Sequence, residues 1–108
     1  EEAEHKPKVG DLLNPNYEVI LAAKPDLVIA STAGNDRTAI MKLTGLGLPV
    51  YVAAARSVDM IFQSVEDIGR ITDCADQGLR LIAQMEARLE NIKLRIGNLP
   101  PIRAFFRL

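Results

Sequence analysis

The stretch KPDLVIASTAGND, Lys24 to Asp36, decides the fold. A Pro-Asp pair leads into four apolar residues, Leu27 to Ala30. A continuous apolar run of this length, bounded by turn formers, is the pattern of a strand covered on both faces. Ser31 to Asp36 are small or polar, and a helical pattern begins near Asn35 or Asp36. In it Ile40 and Leu43 are spaced to face inward. The stretch therefore reads as strand, loop and helix.

Upstream, Asn14-Pro15 has the chemistry of a helix start. Asn14 can accept from free amides, and Pro15 suits the first helical position. Tyr17, Ile20 and Leu21 share one face, Glu18 sits near the positive helix end, and Pro25 stops the helix. Residues 1–8 are polar and read as loose. Downstream, Gly45, Gly47 and Pro49 close the second helix, and Val50 to Ala53 read as another buried strand. Ser57 caps a third helix with Val58, Ile61, Val65, Ile68 and Thr72 three and four apart. Glu66 and Arg70 are placed for an i,i+4 pair.

A longer helix is expected over Ala75 to Ile96, with Leu79, Ile82, Met85, Leu89, Ile92 and Ile96 as its stripe. It would span about 33 Å, the width of a small domain. Gly97, Asn98 and Pro100-Pro101 end it, and Ile102 to Phe106 read as a further strand. The alternation predicts an α/β fold: a parallel sheet with flanking helices, followed by a long helix. In such sheets ligands bind beyond the carboxyl ends of the strands, where 31–36 and 54–57 would lie.

Composition excludes several classes. The 108 residues are 48% apolar and 25% charged, enough to fold and bury a core. Net charge is −1, without a basic run or interleaved aromatics, so a nucleic-acid surface is not expected. The single Cys74 rules out an intrachain disulfide and a multi-cysteine metal site. No stretch approaches the roughly 18 apolar residues of a membrane helix. The chain opens without Met on EEAEHKPK, which reads as a trimmed or mature piece.

Most chemistry-bearing residues have plain structural readings. TGLGLP contains Gly-x-Gly, but it follows a helix and precedes a strand, so it terminates a helix rather than cradling a dinucleotide. His5, the sole histidine, lies in a polar terminus, and Cys74 has no adjacent base. No nucleophile elbow or phosphate loop occurs, and no catalytic residue or metal site is assigned. The long stripe runs close to a heptad, yet it covers barely three heptads, so packing on a sheet or bridging two lobes is preferred to a coiled-coil seam. Two features retain a functional reading: the 31–36 loop, with its hydroxyls, amides and helix start, and Arg56 just beyond the second strand.

In order along the chain, KVGDLLNPNYEVILAAKPDLVIA (8–30), LTGLGLPVYV (43–52) and SVDMIFQSVEDIGRIT (57–72) resemble the substrate-binding proteins of cobalamin, ferric-siderophore and haem ABC importers. The resemblance runs from Lys8 to Leu108. It implies two α/β lobes joined by a long rigid helix, with ligand held in the cleft between them. It divides this chain into residues 1–73 as part of an N-terminal, partly Rossmann-like lobe, 74–98 as the connecting helix and 99–108 as the first strand of a second lobe. An opening strand and helix would precede Glu1, and the rest of the second lobe would follow Leu108.

The resemblance also implies a ligand wall of Ser31, Thr32, Gly34, Asn35 and Arg56. Asp36 or Arg37 would stand at the permease-docking position. The ligand would be a small-molecule metal chelate (siderophore, haem or cobalamin), with no cofactor of the protein's own. The partner would be the ABC permease, and the location periplasmic or lipid-anchored outside the cytoplasm. Arg56 and Arg37 suit an anionic chelate through charge-assisted hydrogen bonds. Three positions depart from the family pattern. Ser31 stands where cobalamin-binding relatives often carry an aromatic residue, which weighs against cobalamin. Arg37 stands where a docking glutamate is frequent. Asp73 stands where glycine is favoured, a less comfortable residue at a left-handed helix end. Self-association through open sheet edges is a further expectation. The rival readings are a flavodoxin-like enzyme or regulator with an effector at the same strand ends, and a helical dimerisation module built on the long helix.

Overall fold

The structure is a computed structural model that describes residues 2–11 and 13–107. Glu1, Leu12 and Leu108 lie outside the described residues. The chain divides into two compact units, 1–64 and 65–108. Residues Glu2–His5, read from the sequence as loose, form one exposed 3-10 turn.

The first unit is built on two parallel strands, β1 (Val28–Ser31) and β2 (Val50–Ala53), paired Val28 to Val50 through Ser31 to Ala53. Helix α1 (Tyr17–Ala22) precedes β1, and helix α2 (Arg37–Gly45) connects the strands. Parallel neighbours need such a crossover, because a tight turn cannot return the chain to the same end of the sheet. Ile20, Ala30, Ala39 and Leu43 form the buried core. Ala39 and Leu43 lie one turn apart, so it is this pair that faces inward. Ile40, expected inward with Leu43, is only half-buried. The β1 strand begins one residue later than the apolar run suggested. It is not covered on both faces either, since Ile29 is 49% exposed.

Capping fixes the helix ends, and it overturns one expectation. Helix α1 starts after Asn16, not Asn14: Asn16 Oδ1 accepts from the amide of Val19 at 3.2 Å. Asn14 is held in the preceding turn, where Asp11 Oδ1 accepts from the amides of Leu13 and Asn14. Gly10 bridges to Pro15 there at φ +113°, and a Cβ on it would stand 2.5 Å from the Asn14 carbonyl. Asp36 caps α2 through Oδ1 to the Ala39 amide at 2.7 Å. Ser57 caps α3 (Val58–Ile71) through Oγ to the Met60 amide at 3.1 Å. At the far end of α2, Gly47 takes φ +84°, and the amides of Gly47 and Leu48 close on the carbonyls of Thr44 and Leu43. TGLGLP is thus a helix stop, as its position in the chain indicated.

The second unit holds the C-terminal part of α3 and the whole of α4 (Ala75–Ile96). The two helices meet at a pair of buried glycines. A Cβ on Gly69 would come 3.2 Å from the Cys74 carbonyl, and one on Gly78 would come 3.3 Å from that of Val65. The ion pair on α3 joins Arg70 to Asp67 at 3.2 Å rather than to Glu66, one of the two spacings that face each other on a helix. The α4 stripe is covered only in part. Ile82, Met85 and Leu89 are half-buried, whereas Leu79, Ile92 and Ile96 are exposed. Ile102 to Phe106 form no strand, and Phe105 is 92% exposed. A strand exists by pairing its amides and carbonyls with a neighbour, and this segment has none among the described residues.

Candidate functional site at the strand ends

Because β1 and β2 are parallel and in register, both carboxyl ends open on one rim. The 32–36 loop leaves from Ser31, and residues 54–57 leave from its register partner Ala53. The ladder continues one step into the first loop, where the Thr32 amide donates to the Ala53 carbonyl at 3.1 Å. The second loop is tied down by Ser64 Oγ, which donates to the Ala54 carbonyl at 3.3 Å. The rim is thus assembled by backbone pairing and by a side chain from α3.

All the residues expected at the cleft or the docking position lie on this rim, in two different situations. Thr32, Asp36, Arg37 and Arg56 are exposed, whereas Ser31, Gly34 and Asn35 are half-buried. Ser31 Oγ accepts from the Ala33 amide at 3.1 Å, and the Ser31 carbonyl accepts from the amides of Gly34 and Asn35. In return the Ser31 amide donates to Asn35 Oδ1 at 3.0 Å. One carboxylate oxygen of Asp36 is engaged in capping α2. Arg37 is the first residue of α2, where a cation meets the positive end of the helix dipole. Arg56 has no ion-pair partner among the described residues. Asp36 is the one carboxylate among residues 31–37 and 54–57, beside the two arginines Arg37 and Arg56. The rim therefore offers exposed hydroxyl, amide and guanidinium donors, a set that recognises anionic or carbonyl-rich ligands.

A concavity of about 590 Å³ lies elsewhere in the first unit, lined by residues that include Asn14, Tyr17, Glu18, Leu21, Lys42 and Leu46. Lys42 Nζ sits 4.3 Å from the centroid of the Tyr17 ring. This groove was not foreseen, since its walls come from helices separated in sequence. It is open, and its cation is already placed on an aromatic face, so volume alone does not make it the better candidate. Among the described residues there is no cluster of metal-ligating side chains, and no helix is long and apolar enough to cross a membrane.

In open α/β sheets a polar loop at adjoining strand ends is where ligands commonly bind. Residues 1–107 match the periplasmic binding protein family, and the chain belongs to it. The vitamin B12-binding protein of Vibrio vulnificus (strain CMCP6) is 32% identical over 108 residues, covering 100% of this chain and 40% of that protein. Among solved structures, the periplasmic vitamin B12 binding protein BtuF of Vibrio cholerae superposes with a TM-score of 0.84 at 28% identity, over 94% of this chain and 40% of the other. The periplasmic heme-binding protein RhuT from Roseiflexus sp. RS-1 superposes with a TM-score of 0.72 at 26% identity, over 91% of this chain and 38% of the other. The chain thus spans about two-fifths of the length of these relatives.

Proposed function

We propose that this chain supplies one ligand wall and the connecting helix of a solute receptor for an ABC importer, acting outside the cytoplasm and without catalysis. Residues 1–73 contribute the wall, and 74–98 contribute the helix that ties it to a second lobe. The ligand is cobalamin, haem or a related iron chelate, a range supported by the vitamin B12-binding and heme-binding relatives. The partner is the importer's permease, with Asp36 and Arg37 at the docking position. The observation that carries the reading is the register of β1 and β2, which brings the 32–36 loop and Arg56 to one rim.

One wall encloses far less of a ligand than the roughly 70–90% that a good pocket buries. Binding by this chain alone is therefore expected to be weaker than micromolar. Titration of the ¹⁵N-labelled chain with cyanocobalamin and haemin should shift amides of 31–35 and 54–57 and leave the 14–21 groove unmoved. Shifts confined to the groove, or micromolar affinity from this chain alone, would overturn the reading. In a receptor carrying both walls, Arg56→Ala should weaken capture of an anionic chelate by about 1.5–3 kcal/mol, roughly tenfold to a hundredfold. Unchanged affinity there would remove Arg56 from the wall.

A further inference from the structure

Four successive amides of the strand-end loop are already bonded within the chain. That of Thr32 donates to the Ala53 carbonyl at 3.1 Å, and that of Ala33 to Ser31 Oγ at 3.1 Å. Those of Gly34 and Asn35 donate to the Ser31 carbonyl at 3.3 and 2.8 Å. A run of free amides can hold an anion, but an amide satisfied inside the fold gains little from a ligand, because the new bond replaces one that is lost. The open amides of this segment are those of 36–38 at the start of α2, which have no hydrogen bond among the described residues. At the loop tip a side chain is left instead. Thr32 carries the one exposed hydroxyl of 31–36, and that hydroxyl has no hydrogen bond among the described residues. The Ser31 hydroxyl is half-buried and holds the Ala33 amide.

We propose that the 32–35 loop reads its ligand through a side chain and not through its main chain, and that Thr32 is the specificity-determining residue of this wall. The Thr32 amide extends the β1–β2 ladder by one step, so its backbone is fixed by the sheet. Its β-branched side chain has few rotamers to lose, and the hydroxyl is therefore presented at small ordering cost. It donates to a carbonyl or carboxylate oxygen at the edge of the chelate. Arg56, on a long flexible stem, supplies charge with less direction. The role of Thr32 rests on the ligand-wall reading above; the bonded main chain does not.

The test is amide hydrogen exchange on the free ¹⁵N-labelled chain, followed by cyanocobalamin and haemin titrations of the wild type, Thr32→Val and Thr32→Ser. In the free chain, amides 32–35 should be better protected than 36–38. Equal protection of the two sets, with Ala30 inside β1 still protected, overturns the bonded main chain. Where a probe shifts the Thr32 and Ala33 amides, Thr32→Val should raise the dissociation constant roughly 2- to 12-fold, the worth of one neutral hydrogen bond, and Thr32→Ser should stay near the wild type. No change in Thr32→Val, or equal weakening in the two variants, overturns the role of Thr32. If neither probe shifts any amide of 31–35 or 54–57 in the wild type, the ligand-wall reading fails and the role of Thr32 with it, while the exchange result still judges the main chain by itself.

Discussion

Asp73 offers a measurement in which left-handed backbone strain is set against two smaller opposing effects. It holds φ +58° at the end of α3, where its amide donates to the Arg70 carbonyl and the Cys74 amide donates to that of Gly69. Helix α2 ends in the same hydrogen-bonded closure with Gly47 at φ +84°, so the chain contains its own control. A residue with a Cβ gives up about 1–2 kcal/mol in the left-handed region, with aspartate at the low end. Replacing it by glycine loosens the unfolded chain by about 0.4–1 kcal/mol. The Asp73 carboxylate also lies two residues before the start of α4, a placement near a positive helix end worth about 0.3–1 kcal/mol at low salt. At about 0.5 M salt that last contribution is largely screened. Asp73→Gly should then stabilise by about 0.5 kcal/mol, raising the melting temperature by about 2–4 °C. Gly47→Asp should be destabilising by a similar amount, because a Cβ there meets nothing within 4 Å and its cost is purely conformational. Thermal unfolding followed by far-ultraviolet circular dichroism, at low and high salt, reads both. A lower melting temperature for Asp73→Gly at high salt would refute the argument.

Substitutions at two further positions probe the frame of the site. Gly78→Ala should deliver well under the roughly 1 kcal/mol of helix propensity that it would gain in open space, because its Cβ would crowd the Val65 carbonyl. Gly78→Leu should destabilise by about 1–3 kcal/mol as α4 is forced off α3, and urea unfolding would show a contrary result directly. Asp36→Ala should cost about 0.5–2 kcal/mol by uncapping α2, with Asp36→Asn nearly neutral. Equal losses in the two variants would mean that charge, not the cap, holds the helix start.

Local chemistry determined much of this molecule. A helix start near Asn35 or Asp36 and the cap Ser57 were legible, as were Gly47 in a helix stop and Val50–Ala53 and Ala75–Ile96 as elements with their observed bounds. Each depends on a few neighbouring residues, so sequence order suffices. The rim was legible too, because parallel strands must end together and the loops after them must meet. What tertiary structure decided was choice among equals. Asn14 and Asn16 have the same capping chemistry, and the Gly10–Pro15 bridge with the Asp11 side chain commits Asn14 to the turn. Glu66 and Asp67 both lie within reach of Arg70 along the helix, and the shorter acid makes the pair. Glycine is a poor helix former, and only the packing shows that position 78 of α4 is where α3 passes close by. The apolar pattern of 102–106 called for a strand, but pairing is a property of two segments, and a sequence pattern describes only one. The bond from the Ser31 amide to Asn35 Oδ1 was hidden for the same reason, since it depends on how the loop folds back on the strand end.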